Sequence, residues 1–334
     1  MTEFCREFPI KCLTESVLRE NDWFTELLRR WHPAGDAVFR RLDAEKQVVR
    51  DHVGKKGEFQ HLRVAFRCGY MNFYCGGQSI ARVRFVRGKL RAEIHEKYVY
   101  GAMGREKQYV KLTSEGFLDF GTGLPVACDS EQRWRPYLDQ WMSNANGKIE
   151  HEKRFVDLLV AHNSNVIDLE MGLPAFSEVP EERRAPRIDI VALEPCEGRW
   201  RVVLWEAKRV HDGRVRCKGN EPPEVVAQLK SYTRWLSDPG RASRVAKAYQ
   251  NNCSLLVELH KIARYIQPGI EELGARIRAV AASDTPLPLV DKEPRLLIIY
   301  DTNDNSFREN GHLDKLRFSG LRVKTVESLS ELAL

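Results

Sequence analysis

The chain has 334 residues, 43% of them hydrophobic and 30% charged, with a net charge of +6. That length can bury one large or two ordinary cores. No apolar run approaches the roughly 18 residues that a membrane-spanning helix needs, which argues against helical channels and transporters. The eight cysteines (5, 12, 68, 75, 128, 196, 217 and 253) show no CxxC pair and no zinc-like spacing. They are expected to be reduced thiols in a cytoplasmic protein, with neither a disulfide framework nor an iron–sulfur cluster. The opening MTEFCREFPIKCL carries acidic residues and no continuous apolar stretch, so no secretory signal is expected.

Charge is distributed unevenly. Residues 1–140 hold 24 Lys/Arg against 19 Asp/Glu and residues 141–334 hold 29 against 28, while residues 45–111 alone hold 15 against 6. A basic region beside a nearly neutral one suits a polyanionic partner.

Leu13, Val17, Leu18, Phe24, Leu27, Leu28 and Trp31 recur at helical spacing and predict a helix over 13–31; a second is predicted over 36–49. From Leu62 to Tyr100 the pattern alternates and predicts an antiparallel meander, with a tight turn at Arg87-Gly88-Lys89. Arg82, Arg84, Arg91 and His95 fall on one side of that hairpin. They are candidate phosphate contacts, with Tyr70, Phe73, Tyr74 and Tyr98 as candidate stacking partners. A solvated outer face with the aromatics in the core stays equally open. Gly and Pro become frequent over 114–136, which places a domain division near 140. The expected organisation is a basic α+β domain over 1–140, for nucleic-acid or partner binding, followed by an α/β domain over 141–334.

After Gly147 a helix is predicted in which Ile149, Phe155, Val156, Leu159 and Val160 form an apolar stripe. Glu152 stands on that stripe, as a third acidic ligand, as the residue that positions a metal-bound water, or as a carboxylate stabilised by the helix dipole. A strand is predicted over 166–176 and a charged loop over 178–184.

The stretch PRIDIVALEPCEGRWRVVLWEAK, residues 186–208, reads as a hairpin with a loop of several residues around 194–198. With the turn centred near 197–198, Asp189 lies opposite Glu206, with Cβ atoms about 5 Å apart. Lys208 shares a face with Glu206, Val202 and Leu204, while Val203, Trp205 and Ala207 fill the other face. The second strand is therefore expected to be central and buried. A buried pair of like charges shifts its pKa or takes up a cation. Asp189, Glu206 and the Ala207 carbonyl offer hard oxygens suited to Mg²⁺, which keeps several waters, with Glu152 as a candidate third acidic ligand. One such water is the candidate nucleophile, with Lys208 to orient it. The competing reading is a solvated edge hairpin.

Beyond Lys208, a polar loop carries Arg209, Arg214, Arg216 and Lys218. A helix is predicted over 224–236, with Gln228 four residues before Tyr232. Further helices are predicted after Pro239-Gly240 and over 269–282, and strands over 295–300 and 321–326, which extend a mixed sheet.

In order, Glu152 on a helix, Asp189 on a strand, Glu206-x-Lys208 on the next and Gln228-x-x-x-Tyr232 on the following helix resemble the PD-(D/E)xK nuclease superfamily, RecB-like branch. The resemblance covers about residues 147–236; Ile188 stands where the motif has proline, with Pro186 three positions before Asp189. It implies a restriction-endonuclease-like mixed sheet flanked by helices, with catalytic Asp189, Glu206, Lys208 and Glu152. It also implies Mg²⁺ or Mn²⁺ on the carboxylates, and Gln228 and Tyr232 contacting a nucleic-acid strand or ordering the site. The expected activity is metal-dependent hydrolysis of DNA, in defence against foreign DNA or in repair. Alternatives are a catalytically lapsed module that binds nucleic acid or protein, and an RNA-directed nuclease. Assembly into a homo-oligomer or a larger complex stays open.

Overall fold

A computed structural model describes residues 4–35, 61–99, 109–112, 118–119, 135–147, 151–173, 187–219, 221–282, 284–300, 305–327 and 334. The helix expected over 36–49, the loop over 178–184, Ile149 and Cys128 lie outside them. The fold is mixed α/β, with one antiparallel sheet and one mixed sheet flanked by helices.

The N-terminal helix expected over 13–31 is two helices, α1 (Glu15–Glu20) and α2 (Asp22–Arg29). Asn21 divides them at φ −129°, donating its amide to the Val17 carbonyl and accepting from the Trp23 indole. An Asn side chain that satisfies nearby backbone competes in this way with helix propagation.

The first sheet is an antiparallel meander: β1 (Arg63–Arg67), β2 (Tyr70–Cys75), β3 (Gln78–Val86), β4 (Lys89–His95), β5 (Tyr109–Leu112) and β6 (Leu118–Asp119). Met71, Phe73, Val83, Leu90, Ala92 and Ile94 are buried on its inner face. Helix α3 (Arg135–Asn146) adds Leu138, Trp141, Met142 and Ala145 to the same core.

The second sheet is ordered β12-β11-β9-β8-β7, with β10 also paired to β9. Its strands are β7 (Val166–Gly172), β8 (Arg187–Cys196), β9 (Arg199–Arg209), β10 (Leu289–Val290), β11 (Arg295–Ile299) and β12 (Val323–Val326). Strand β9 is central, antiparallel to β8 and parallel to β11. Its alternation divides two cores: Val202 and Leu204 pack in the larger one, Val203, Trp205 and Ala207 in the smaller.

Helix α4 (His151–His162) covers the smaller core through Phe155, Val156, Leu159 and Val160. Helices α5 (Glu224–Leu236) and α6 (Pro239–Ile266) lie on the larger one. Helix α7 (Ala275–Ala281) starts later than the predicted 269, with Gly274 at its cap. The larger core is continuous across position 140, joining Phe24 and Phe73 to Val191, Tyr232 and Tyr249.

Two expectations are corrected. The β8–β9 loop is short: pairing continues through Glu194, Pro195 and Cys196 to Arg199. Only Glu197 and Gly198 turn, both at positive φ, +50° and +72°. This primed-turn geometry matches strand twist and favours Gly at its second position. Cys5 and Cys68 are joined as a disulfide rather than left reduced; their separation of 63 residues carries no local motif. Cys12, Cys75, Cys196, Cys217 and Cys253 are in no disulfide. Among the described residues no helix is long and apolar enough to cross a membrane.

Candidate active site

Four charged side chains meet where β8 and β9 end beside α4. The ladder runs as far as Ile190 opposite Trp205, so the next pair is Asp189 and Glu206, as the turn position predicts. The Ala207 N–H donates to Asp189 Oδ2 at 2.7 Å, tying Asp189 to the central strand. Glu206 and Lys208 lie beneath, 2% and 1% exposed. Lys208 Nζ is 2.6 Å from Glu206 Oε1, 3.4 Å from Glu152 Oε1 and 3.7 Å from Asp189 Oδ2.

Burial is the chief cause of the shifts here. Burial and the Asp189 charge push the Glu206 carboxyl up to about 8, against the ammonium of Lys208 and the amide of Gln228. Burial also raises Glu152, with Lys208 opposing it. Lys208 is held above the ordinary lysine range, because Asp189, Glu206 and Glu152 outweigh the burial that would lower it.

Helix α5 supplies the next residues. Gln228 Nε2 donates to Glu206 Oε1 at 2.9 Å. Glu206 Oε1 is thus held by Gln228 and Lys208, while buried Oε2 has no hydrogen-bond partner among the described residues. Tyr232 is fully buried, and burial followed by the charges of Glu206 and Asp189 raises its phenol. Its ring belongs to the larger core.

The donors fit a hard divalent cation in kind: carboxylates and a carbonyl, with one buried carboxylate oxygen unpartnered. Among the described residues no three His, Cys, Asp or Glu side chains are grouped as metal ligands. The point at which the carboxylates meet is Lys208 Nζ. The Ala207 carbonyl, an expected ligand, accepts from that ammonium at 2.6 Å.

Glu170 was missed by the sequence reading. It shares a small cleft with Gly77, Glu152, Lys153 and Asp189. Its only signal is a Glu between the apolar Leu169 and Met171 of a strand. Gly77, in the β2–β3 turn, has φ +73°, and a Cβ there would meet the Lys153 side chain at 3.2 Å. The first sheet therefore closes against the cleft.

The basic face is only partly as expected. Arg84 faces Arg91, and Arg82 faces Glu93, across β3 and β4. Arg84 is paired with Glu93, which shares the face with the basic residues. Arg82 lies over the rings of Tyr109 and Tyr70, at 3.9 and 5.6 Å from their centroids. Phe73, Tyr74 and Tyr98 are buried and cannot stack on a ligand.

Comparison with protein-family models, characterised proteins and solved structures finds no match.

Proposed function

We propose that the chain is a divalent-cation-dependent nuclease of the PD-(D/E)xK type that hydrolyses phosphodiester bonds in DNA. The observation that carries this reading is the buried, unpartnered Oε2 of Glu206 beside Asp189, with Lys208 and Gln228 already on the other oxygen. Leaving a buried carboxylate oxygen unpaired costs free energy, and a cation shared with Asp189 would remove that cost.

Asp189 and Glu206 would hold the cation, with Glu152 beside them. When bound, it would polarise the phosphodiester and neutralise charge as a water attacks phosphorus. Lys208 donates hydrogen bonds from a fixed, always-charged ammonium buried among the carboxylates. It orients the attacking water and stabilises the developing negative charge. Gln228 fixes the rotamer of Glu206 and keeps Oε2 turned away from α5. Buried Tyr232 supports that helix.

The purified chain should cut DNA in Mg²⁺ or Mn²⁺, assayed on linear, circular and single-stranded substrates with an RNA control. K208A should lose at least about 100-fold in rate, the size of effect expected for one lost electrostatic donor. Full activity in K208A overturns the assignment, and Mn²⁺ calorimetry separates an enzyme from a module that only binds.

A further inference from the structure

Strands β7 and β8 are irregular at facing positions. Leu169 pairs with Ile190 and Met171 with Ile188, which sets Glu170 opposite Asp189. In a regular strand, residues two apart share a face. Here Leu169 and Ile190 pack in the smaller core, yet Met171 and Ile188 pack in the larger. The two strands keep their register here, but the inward alternation of both breaks at Glu170 and Asp189, and these two side chains are left only partly buried. Glu170 has φ +50°, a left-handed conformation that costs a non-glycine residue stability and persists only where its surroundings impose it.

The surroundings do impose it. Arg67 Nη1 donates to Asp168 Oδ1 at 2.6 Å, while its Nη2 donates to the carbonyls of Leu169 and Glu170. Arg6 takes the other Asp168 oxygen at 2.8 and 3.0 Å. A buried clamp from the N-terminal part thus grips β7 through the residue that is strained.

The Glu170 carboxylate opens on the same cleft as Asp189 and Glu152, with side-chain exposures of 16%, 15% and 19%. Lys153 and Arg187 stand 3.8 and 3.7 Å from its oxygens, beyond hydrogen-bond range. Glu170, Asp189 and Glu206 thus form one row across three adjacent strands, and the row ends at the unpartnered buried oxygen of Glu206.

We propose that Glu170 is a positioning residue of this site: its carboxylate, held opposite Asp189 by the Arg67 clamp, strengthens the hold of the Asp189–Glu206 pair on a divalent cation. The proposal rests on the nuclease reading above.

Calorimetric titration with Mn²⁺ and cleavage kinetics on the full chain test it together. E170Q should bind Mn²⁺ about tenfold more weakly and need correspondingly more Mn²⁺ for half-maximal cleavage, with part of the loss restored by E170D. E170G should show the same loss yet melt no lower than the parent chain, because glycine relieves the left-handed backbone. That combination excludes a purely structural role. Wild-type Mn²⁺ affinity in E170Q and E170G, with binding lost in D189A, overturns this proposal alone. Mn²⁺ affinity unchanged in D189A overturns both it and the reading beneath it.

Discussion

Two buried carboxylates on neighbouring strands meet opposite fates. Asp168 on β7 is 1% exposed, and each of its oxygens is occupied by Arg6, Arg67 or the Tyr249 hydroxyl. Burial alone would raise its pKa, but the two guanidiniums hold it below the ordinary range. Glu206 on β9 is equally buried, has one ammonium shared among three carboxylates, and is pushed up to about 8. Burial alone does not distinguish the two acids. The completeness of their pairing does, because an acid left short of counter-charge is ready to take a ligand. Asp157, clamped by His61 and Arg63, belongs with Asp168.

The comparison breaks if the two positions respond alike to neutralisation. D168N should destabilise the chain by about 3–5 kcal/mol, since it strands two buried arginines, and denaturant unfolding would measure it. E206Q should abolish cleavage, by about 1,000-fold or more, without lowering stability in chelator. Loss of fold in E206Q, or an unaffected midpoint in D168N, would reverse the assignment of roles.

The pH dependence should also differ in sign. Glu206 binds its proton more tightly folded than unfolded. Its contribution is therefore complete below about pH 4.5, its ordinary value, and is lost as pH rises through about 8. Asp168 does the reverse: its contribution is present above about pH 3.8 and is lost as pH falls through its depressed folded value. In chelator, calorimetric melting of the wild type should fall relative to E206Q between about pH 5 and 8. At about 1.4 kcal/mol per pKa unit the difference is a few kcal/mol at most. Mg²⁺ should reduce it most at the alkaline end, where it competes with fewer protons.

Much of the Glu206 cluster was legible in the sequence, because local rules generate it. A turn at Glu197-Gly198 sets the register that puts Asp189 opposite Glu206, and helical spacing brings Gln228 round to meet it. The Asp168 cluster was not legible. Arg6 and Arg67 come from positions 162 and 101 residues away, and no periodicity connects them. Glu170 was hidden for a related reason: alternation assumes an unbroken pleat, and β7 breaks it at that residue. Of the candidate stacking residues, Phe73, Tyr74 and Tyr98 are buried, as the alternative reading of aromatics in the core has it.

Gln228 tests how far the Glu206 cluster depends on its single neutral partner. Q228A removes one hydrogen bond to a charged group, typically worth about 1.5–3 kcal/mol. Part of that should reappear as water fills the half-buried space. Cleavage should drop about tenfold, with Mn²⁺ affinity following it. A larger loss in Q228A than in K208A would mean that the amide, not the ammonium, organises the carboxylates.

The smallest effects are expected among the surface arginines, which extend the comparison from acids to bases. Arg6 and Arg67 are committed to Asp168, and Arg84 is committed to Glu93 on an exposed strand. Arg82 is spent on two tyrosine rings, a contact worth about 0.5–1 kcal/mol at such sites. Half-buried Arg91 has no acidic partner among the described residues, so of the three expected phosphate contacts Arg82, Arg84 and Arg91 it is the one not already paired. If the outer face of β3 and β4 tracks DNA, R91A should lower the salt slope of binding by about one and weaken affinity alike for all sequences. R82A should cost stability rather than binding. R84A should fall between, since losing its carboxylate partner's counter-charge leaves Glu93 to repel the backbone. Equal salt slopes for all three variants and the parent would return this face to solvent, and leave DNA recognition to the cleft where Gly77 meets α4.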